Sequence, residues 1–154
     1  MKKNITVIVG MTLFASALFA EPDQRQRLEL SEIQRAHVLA EMRALLSGVQ
    51  GIVSAIADND LPRVAQTARP LGMSMARKAE DHLKGLLPQE FMQLGMAVHR
   101  DFDQLATDAE SIADVNITLG QLGDLMNKCV ACHNAYQIRV SESPARIEDG
   151  HHRH

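Results

Sequence analysis

Two cysteines and a histidine near the end of the chain are the residues best suited to chemistry. Cys129, Val130, Ala131, Cys132 and His133 form Cys-x-x-Cys-His, the pentapeptide typical of c-type haem attachment. Two helical residues three apart lie on one face, so both thiols can bond to the same porphyrin. The imidazole of His133 follows directly and can reach the iron as an axial ligand. The spacing therefore predicts one covalent haem c, with Cys129 and Cys132 as thioether ligands and His133 on the iron.

Other functions of a Cys-x-x-Cys pair have to be weighed beside haem. The pair can be a redox disulfide or half of a zinc site. A structural zinc site needs four ligands, usually with a second Cys or His pair, and Cys129 and Cys132 are the only cysteines. A thioredoxin-like pair opens a helix after a strand, and no strand-like run of β-branched residues precedes Cys129. Haem attachment is favoured, and the dithiol redox pair stays as the alternative.

The first 20 residues have the pattern of a secretory signal peptide. Lys2 and Lys3 form a basic start, residues 5–19 are mostly apolar, and small residues precede the polar Glu21. Cleavage after Ala20, at the break in polarity, is preferred to cleavage after Ala17. The apolar run is shorter than the roughly 20 residues of a membrane-spanning helix, and no other segment is predicted to be long and apolar enough to span, so we expect no stable membrane insertion. Residues 1–20 therefore predict export to the periplasm, the usual site of c-type haem attachment.

Composition limits what the remaining chain can be. Without residues 1–20, which hold two lysines and no acid, 134 residues remain, enough for one domain, and the formal net charge changes from −3 to −5. An acidic protein of this kind does not suit nucleic acid as a partner. The full sequence has no Trp, one Tyr and four Phe, of which two lie within residues 1–20, so the core must consist of aliphatic residues and Met. Such a composition favours helices over sheets.

Start and stop signals divide the chain into four helices. Ser31 and Gln34 are spaced as a capping box before the first helix. Asp60 is placed to cap the second helix, in which Pro70 should cause a kink or a break. Pro88 precedes the third helix, and the fourth contains the Cys-x-x-Cys-His motif.

Apolar residues recur in these segments at spacings of three and four, which predicts one inward face for each helix. The sequence predicts an all-α antiparallel four-helix bundle over residues 21–140, with the haem bound inside it to the last helix. The predicted inward residues are Leu39, Met42, Leu46, Val49, Val53 and Ile56; Val64, Ala68, Leu71 and Met75; Phe91, Leu94, Val98, Phe102, Leu105 and Ala109; and Leu119, Leu122, Met126, Cys129, His133 and Tyr136.

The final residues, 141–154, have no apolar period and contain several charges with Pro144 and Gly150. We therefore predict a disordered tail. His151, His152 and His154 could hold a transition metal there only loosely.

The motif and its surroundings resemble the cytochrome c′ family, the class II c-type cytochromes. In that family the haem motif lies in the last helix of a periplasmic four-helix bundle and is commonly followed by two residues and Tyr, here Tyr136. One position departs from the pattern, because the family often has Arg or Lys after this Tyr and the chain has Gln137, with Arg139 as a potential substitute. The resemblance implies a single haem, and relatives often form homodimers through their first two helices.

The resemblance also directs attention to the sixth iron position. In cytochrome c′ an apolar side chain of the first helix leaves the iron five-coordinate, whereas in low-spin relatives a Met from that helix binds it. Met42 lies on the predicted inward face of the first helix and is the candidate distal axial ligand. The alternative is that Met42 only fills the core, as methionines often do. Met73 and Met96, on the middle helices, are weaker candidates.

Three histidines and one arginine are further residues that could lie near the haem. His37 lies about one turn from Met42 and could give bis-His iron, although we favour a position on the helix surface. His82 and His99 are interpreted as ordinary, partly exposed histidines. Arg43 could pair with a haem propionate, as a guanidinium suits a carboxylate, or could be a solvated surface charge.

The axial ligands of the iron determine which function a bound haem can have. Met and His together raise the reduction potential, and such iron suits a one-electron carrier between periplasmic redox proteins. A five-coordinate iron behind apolar side chains would instead bind NO or CO, which is the alternative function. A peroxidase would need an acid-base residue beside open iron, and the predicted distal face is apolar. We therefore expect a protein that is not an enzyme.

Overall fold

The structure is a computed structural model that describes residues 22–83 and 85–141, without the side chains of residues 79–82. The predicted signal peptide and all but the first residue of the predicted tail lie outside the described residues, so both remain predictions. The described chain is mostly helical. Its elements are β1 (Gln26–Leu30), α1 (Glu32–Ala57), α2 (Leu61–Ala68), α3 (Met73–Leu83), α4 (Gln89–Ser111), α5 (Val115–Ala135) and β2 (Tyr136–Val140).

The predicted helix starts are confirmed. The Ser31 hydroxyl accepts a hydrogen bond from the Gln34 amide at 3.3 Å, and the Gln34 side chain accepts one from the Ser31 amide at 3.0 Å, which completes the capping box. Asp60 caps α2 by accepting from the amide of Arg63 at 3.0 Å. Helix α4 begins directly after Pro88, as expected.

The break at Pro70 is also confirmed. The second helical segment consists of α2 and α3, joined by a 3₁₀ turn at Arg69–Leu71 that contains the proline. Proline lacks the amide that would continue the helical hydrogen bonds. The Asp103 carboxylate of α4 accepts a hydrogen bond from the Met73 amide at 2.9 Å and thereby stabilises the first turn of α3. With this break, the described chain has four helical segments.

A small sheet was not predicted. Strands β1 and β2 pair in parallel, with Gln26 opposite Tyr136 and Leu30 opposite Val140. Tyr136 therefore starts a strand, and the prediction that it belongs to the last helix is wrong. The alternation of Tyr136, Ile138 and Val140 with polar residues suits a strand. Leu30 is fully buried beside α1, so the pairing also contributes to the core.

The main core lies where α4 packs between α2 and α5 and where α2 packs on α1. Small residues at the contacts let the helix axes approach closely. The core members are Leu45, Ile52, Ala55, Leu61, Val64, Ala65, Ala68, Leu71, Val98, Phe102, Leu105, Ala106, Ala109, Leu122 and Leu125.

The predicted inward faces are largely right for α2 and α4 but offset for α1 and α5. On α1, Leu45 and Ile52 are buried, whereas the predicted Leu46 is 70% exposed and Val53 is also exposed. A shift of one residue turns a helix face by about 100°. On α5, Leu122 is buried as predicted, but Leu119 and Met126 are exposed, and Thr118 and Leu125 are buried instead.

Helix α1 has a second property that was not expected. By length and composition alone, it is the one helix of the described chain that could cross a membrane. The expectation that no segment after the leader meets this criterion is therefore wrong. The reason is that α1 is apolar on two faces, one packed in the core and one turned toward a cavity.

Candidate functional site

A cavity of about 560 Å³ lies between α1, α3, α4 and α5. Its volume falls in the range of roughly 300–1,000 Å³ typical of ligand and cofactor pockets. Its walls are almost entirely apolar, with titratable side chains at only a few points. The main lining residues are Val38, Leu39, Met42, Leu46 and Val49 of α1, Phe91, Leu94, Met96 and Phe102 of α4, and Met126, Cys129, Val130, Cys132 and His133 of α5.

The structure places Cys129, Val130, Cys132 and His133 of the Cys-x-x-Cys-His motif on one wall of this cavity. Cys129 and Cys132 are half-buried with free thiols, and His133 is exposed. The motif lies near the carboxyl end of α5, which ends at Ala135. The three side chains therefore face one shared space, as a single bound group would require.

The two thiols have properties that do not suit a redox pair. Burial raises the pKa of Cys129, as does the charge of Asp101, despite the opposing effects of a backbone hydrogen bond and of Lys128. Burial also raises the pKa of Cys132, with a further contribution from Cys129. Reactive dithiols have a lowered pKa, commonly at the amino end of a helix. This pair lies at the carboxyl end.

A metal site built from the usual charged ligands is not found among the described side chains. Within residues 22–78, 83 and 85–141, whose side chains the structure describes, no three His, Cys, Asp or Glu side chains lie together as a metal-binding group. This finding removes support from the zinc alternative for the part of the chain that the structure describes, since structural zinc needs four such ligands.

Met42 lines the same cavity as the motif, from a different helix. It is half-buried on α1, between the core and the open space. Met92, Met96 and Met126 line the cavity too, whereas Met73 does not. Met126 shares α5 with His133, so the thioethers on other helices are those of Met42, Met92 and Met96. Met92 was not singled out by the sequence among the six methionines that follow residue 20.

His99 differs from its interpretation as a partly exposed residue, because it is only 6% exposed. Its Nδ1 lies 2.6 Å from the Leu71 carbonyl oxygen, which can only accept, so Nδ1 carries the hydrogen. Its Nε2 lies 3.3 Å from a carboxylate oxygen of Glu41. Both ring nitrogens thus have partners, which is why a histidine can be buried here. His99 precedes the buried Phe102 by three residues, a helical spacing that could have revealed its burial.

The pKa of His99 reflects two opposing effects. Burial alone would lower it, because desolvation disfavours the charged imidazolium. The hydrogen bonds to Glu41 and to the Leu71 carbonyl, with the charges of Glu41 and Asp103, outweigh burial and raise the pKa. Because Glu41 and His99 also line the cavity, the expectation of a purely apolar distal face is wrong.

The remaining candidates differ in whether they line the cavity. His37 is half-buried but does not line it, which gives no support to bis-His ligation by His37. Arg43 is exposed and does line it, where a carboxylate of a bound group could meet its guanidinium. Lys128, another lining residue, is paired with Asp101 at 2.5 Å. The side chain of His82 lies outside the described residues.

Gln137 and Arg139, at the position where the chain departs from the cytochrome c′ pattern, belong to the strand pair. Gln137 is buried and donates to the Arg25 carbonyl oxygen at 3.0 Å. The side-chain oxygen Oε1 of Gln137 accepts a hydrogen bond from Nε of Arg139 at 2.8 Å. Neither residue lines the cavity. Arg139 therefore does not substitute at the cavity wall for the basic residue that the resemblance leads one to expect.

The site fits a large apolar group with thiol and imidazole attachment points. Leu46, Met126 and Val130 are exposed apolar residues that line the cavity, so a bound group could cover them. Burying such surface is favourable by roughly 25 cal/mol per Å². A haem suits this combination of donors and walls. No family model, no curated protein and no solved structure matches the chain.

Proposed function

We propose that this protein is a periplasmic c-type cytochrome of the cytochrome c′ kind, an antiparallel four-helix bundle that transfers one electron through one covalent haem. The observation that carries the proposal is the shared cavity of Cys129, Cys132, His133 and Met42. The apolar walls and the uncovered leucine and methionine side chains support a large, flat cofactor. Its partners would be other periplasmic redox proteins.

The cysteines attach the cofactor. Each thiol would add its sulfur to one carbon of a vinyl group and its hydrogen to the other, so that two thioether bonds form and no oxidant is needed. Their spacing of three residues puts both sulfurs on one face of α5. The raised pKa of each thiol keeps it protonated until it reacts and makes a competing disulfide chemistry less suitable.

His133 and Met42 would hold the iron from two helices. A bound haem supplies a ferric/ferrous couple, and ligation by His with Met favours the ferrous form. The apolar side chains of α1 and α4 keep water from the site and lower the local polarity, which works in the same direction. Arg43, at the cavity wall, would pair with a propionate. A site closed on both sides suits electron transfer and leaves no position for a substrate.

Gas binding is the second candidate function, and the lining of α1 favours it. Leu39, Leu46 and Val49 lie around Met42 on the cavity wall. If Met42 only fills space, these side chains would surround an open iron position that admits NO or CO. The two functions therefore differ at one side chain.

Visible spectra of the purified holoprotein distinguish them. The ferric and dithionite-reduced proteins are recorded with and without CO, beside Met42→Ala and the matched variant Met96→Ala, which changes another cavity methionine. Sharp low-spin bands with a weak far-red charge-transfer band, unchanged by CO and lost only in Met42→Ala, would support Met42 ligation. High-spin bands that change with CO in all three proteins would support the gas-binding function instead.

Covalent attachment needs its own measurement. The intact mass should exceed that of the polypeptide by one haem and lose this excess in a Cys129→Ser/Cys132→Ser double variant. A wild-type protein exported by cells that attach c-type haem, but recovered without this excess mass, would contradict the proposal in both of its forms.

A further inference from the structure

The helix that carries the motif ends immediately after it, which leaves backbone groups to be satisfied. The Tyr136 amide still donates to the Cys132 carbonyl oxygen, but Tyr136 itself is extended, with φ −128° and ψ 149°. The next carbonyl, that of His133, therefore loses the amide that a continuing helix would supply four residues later. Such carbonyls at a helix end need another donor or water.

Arg25, 108 residues earlier in the chain, is that donor. Its Nη1 donates to the His133 carbonyl oxygen at 3.2 Å. A cation at the carboxyl end of a helix is also favoured by the helix dipole. Arg25 lies just before β1 and reaches the haem motif because β1 pairs with β2, the strand that directly follows α5.

Arg25 is itself held from both sides. Asp23 receives its Nη2 at 2.7 Å, its Nε at 2.9 Å and its amide at 3.1 Å. These contacts lower the pKa of Asp23 to about 2, so the carboxylate stays charged. On the other side, Gln137 donates to the Arg25 carbonyl oxygen at 3.0 Å. Asp23 therefore orients the guanidinium, and Gln137 holds the backbone of Arg25.

We propose that Arg25, oriented by Asp23, is a positioning residue for His133: its hydrogen bond to the His133 carbonyl fixes the last turn of α5 and the direction of the imidazole. The inference rests on the proposed function. Partners outside the first coordination shell orient metal ligands and tune the metal. Without Arg25 the imidazole would be held less firmly, would donate less to ferric iron, and the reduction potential would rise.

The test compares four variants of the holoprotein. Arg25→Ala removes the donor, Arg25→Lys restores a cation, and Asp23→Asn removes the charge that orients Arg25. Arg63→Ala is the matched control, since the Arg63 side chain is 42% exposed against 41% for Arg25 and also pairs with an aspartate, Asp58, away from the cavity. The readouts are the reduction potential and the ferric EPR spectrum, whose g-values report axial ligation.

For Arg25→Ala we expect the reduced-to-oxidised ratio at a fixed potential to rise about three-fold, the size that one exposed hydrogen bond supports. This corresponds to about 30 mV, because a tenfold change is 59 mV for one electron. The g-values should shift as well. Arg25→Lys should recover most of the wild-type value, Asp23→Asn should lie between the two, and Arg63→Ala should match the wild type.

Two results would overturn the inference. If all variants keep the wild-type potential and g-values, Arg25 does not position His133. If Arg63→Ala shifts as far as Arg25→Ala, the effect is a general one of surface charge. The intact mass separates these results from failure of the proposed function: a wild type without covalent haem would refute both, whereas a normally loaded set of variants without a shift refutes only the role of Arg25.

Discussion

The same helices form two different regions, one closed and one open. In the closed region, α1 packs with Ile52 and Ala55 against Val64 and Ala68 of α2, and all four side chains are buried. In the open region, α1 presents Leu39, Met42 and Leu46 to the cavity of about 560 Å³. Apolar residues recur along α1 through both regions, but only the closed region is packed.

The difference between the two regions shows that an apolar helix face need not pack in a protein core. In the closed region the small residues Ala65 and Ala106 let helices approach until no space remains. In the open region leucine, valine and methionine side chains, such as Leu94 and Met96, surround a cavity of about 560 Å³. The apolar residues there are best understood as the surface for a bound group, which is the basis of the haem proposal.

The same substitution, Leu to Ala, should change the free energy of unfolding very differently in the two regions, and this is the largest difference that we expect. Leu105→Ala, in the closed region where Leu105 is 1% exposed, should cost about 2–5 kcal/mol of unfolding free energy. Leu46→Ala should change the stability of the haem-free protein by no more than about 0.5 kcal/mol, because Leu46 is mostly exposed. Urea unfolding followed by circular dichroism measures both.

Bound haem should change the cost of Leu46→Ala but not that of Leu105→Ala. In the holoprotein the cost of Leu46→Ala should rise toward the roughly 1.5–3 kcal/mol of a buried leucine, because the cofactor would cover the side chain. The cost of Leu105→Ala should stay unchanged. Equal costs for the two variants in haem-free protein would show that the open region is packed after all.

A smaller effect is expected at two glycines, with opposite signs. A Cβ at Gly48, in the closed region, would overlap Cδ1 of the buried Leu71, so Gly48→Ala should cost about 1–3 kcal/mol. A Cβ at Gly95, on the cavity wall, has no atom within 4 Å, and Gly95→Ala should stabilise by about 0.5–1 kcal/mol through helix propensity. Melting temperatures of the two variants report the signs, and a loss of stability at both positions would contradict the contrast.

Much of the fold could be predicted from local signals, since the capping box at Ser31 and the break at Pro70 depend only on nearby residues. The inward face of α1 could not be assigned correctly, because its apolar residues cover two adjacent faces and periodicity alone does not say which one packs. The pairing of β1 with β2 joins residues about 110 positions apart, and five-residue strands carry little periodic signal in a sequence.

In the candidate site, too, the local motif could be predicted from the sequence, whereas contacts between distant residues could not. The motif of Cys129, Cys132 and His133 is local, and its chemistry could be proposed from spacing alone. That Met42 lines the same cavity depends on how α1 and α5 are placed together, and the sequence supported it through the apolar spacing of the first helix and through the resemblance. The contact of Arg25 with His133 and the burial of His99 arise from tertiary packing, so neither was predicted.

The smallest expected effect concerns the boundary between the two regions, where His99 of α4 holds Glu41 of α1 and the Leu71 carbonyl. Because the pKa of His99 is raised by folding, the folded state binds more protons than the unfolded state above about pH 6.5. The stabilisation is thus complete below that pH and is lost as the pH rises through the raised pKa. Urea midpoints of the wild type should fall over this range relative to those of His99→Gln, and Glu41→Gln should reduce the same slope. If the urea midpoints of the wild type and of His99→Gln change in parallel at all pH values, a charged His99 imidazole does not stabilise the contact with Glu41.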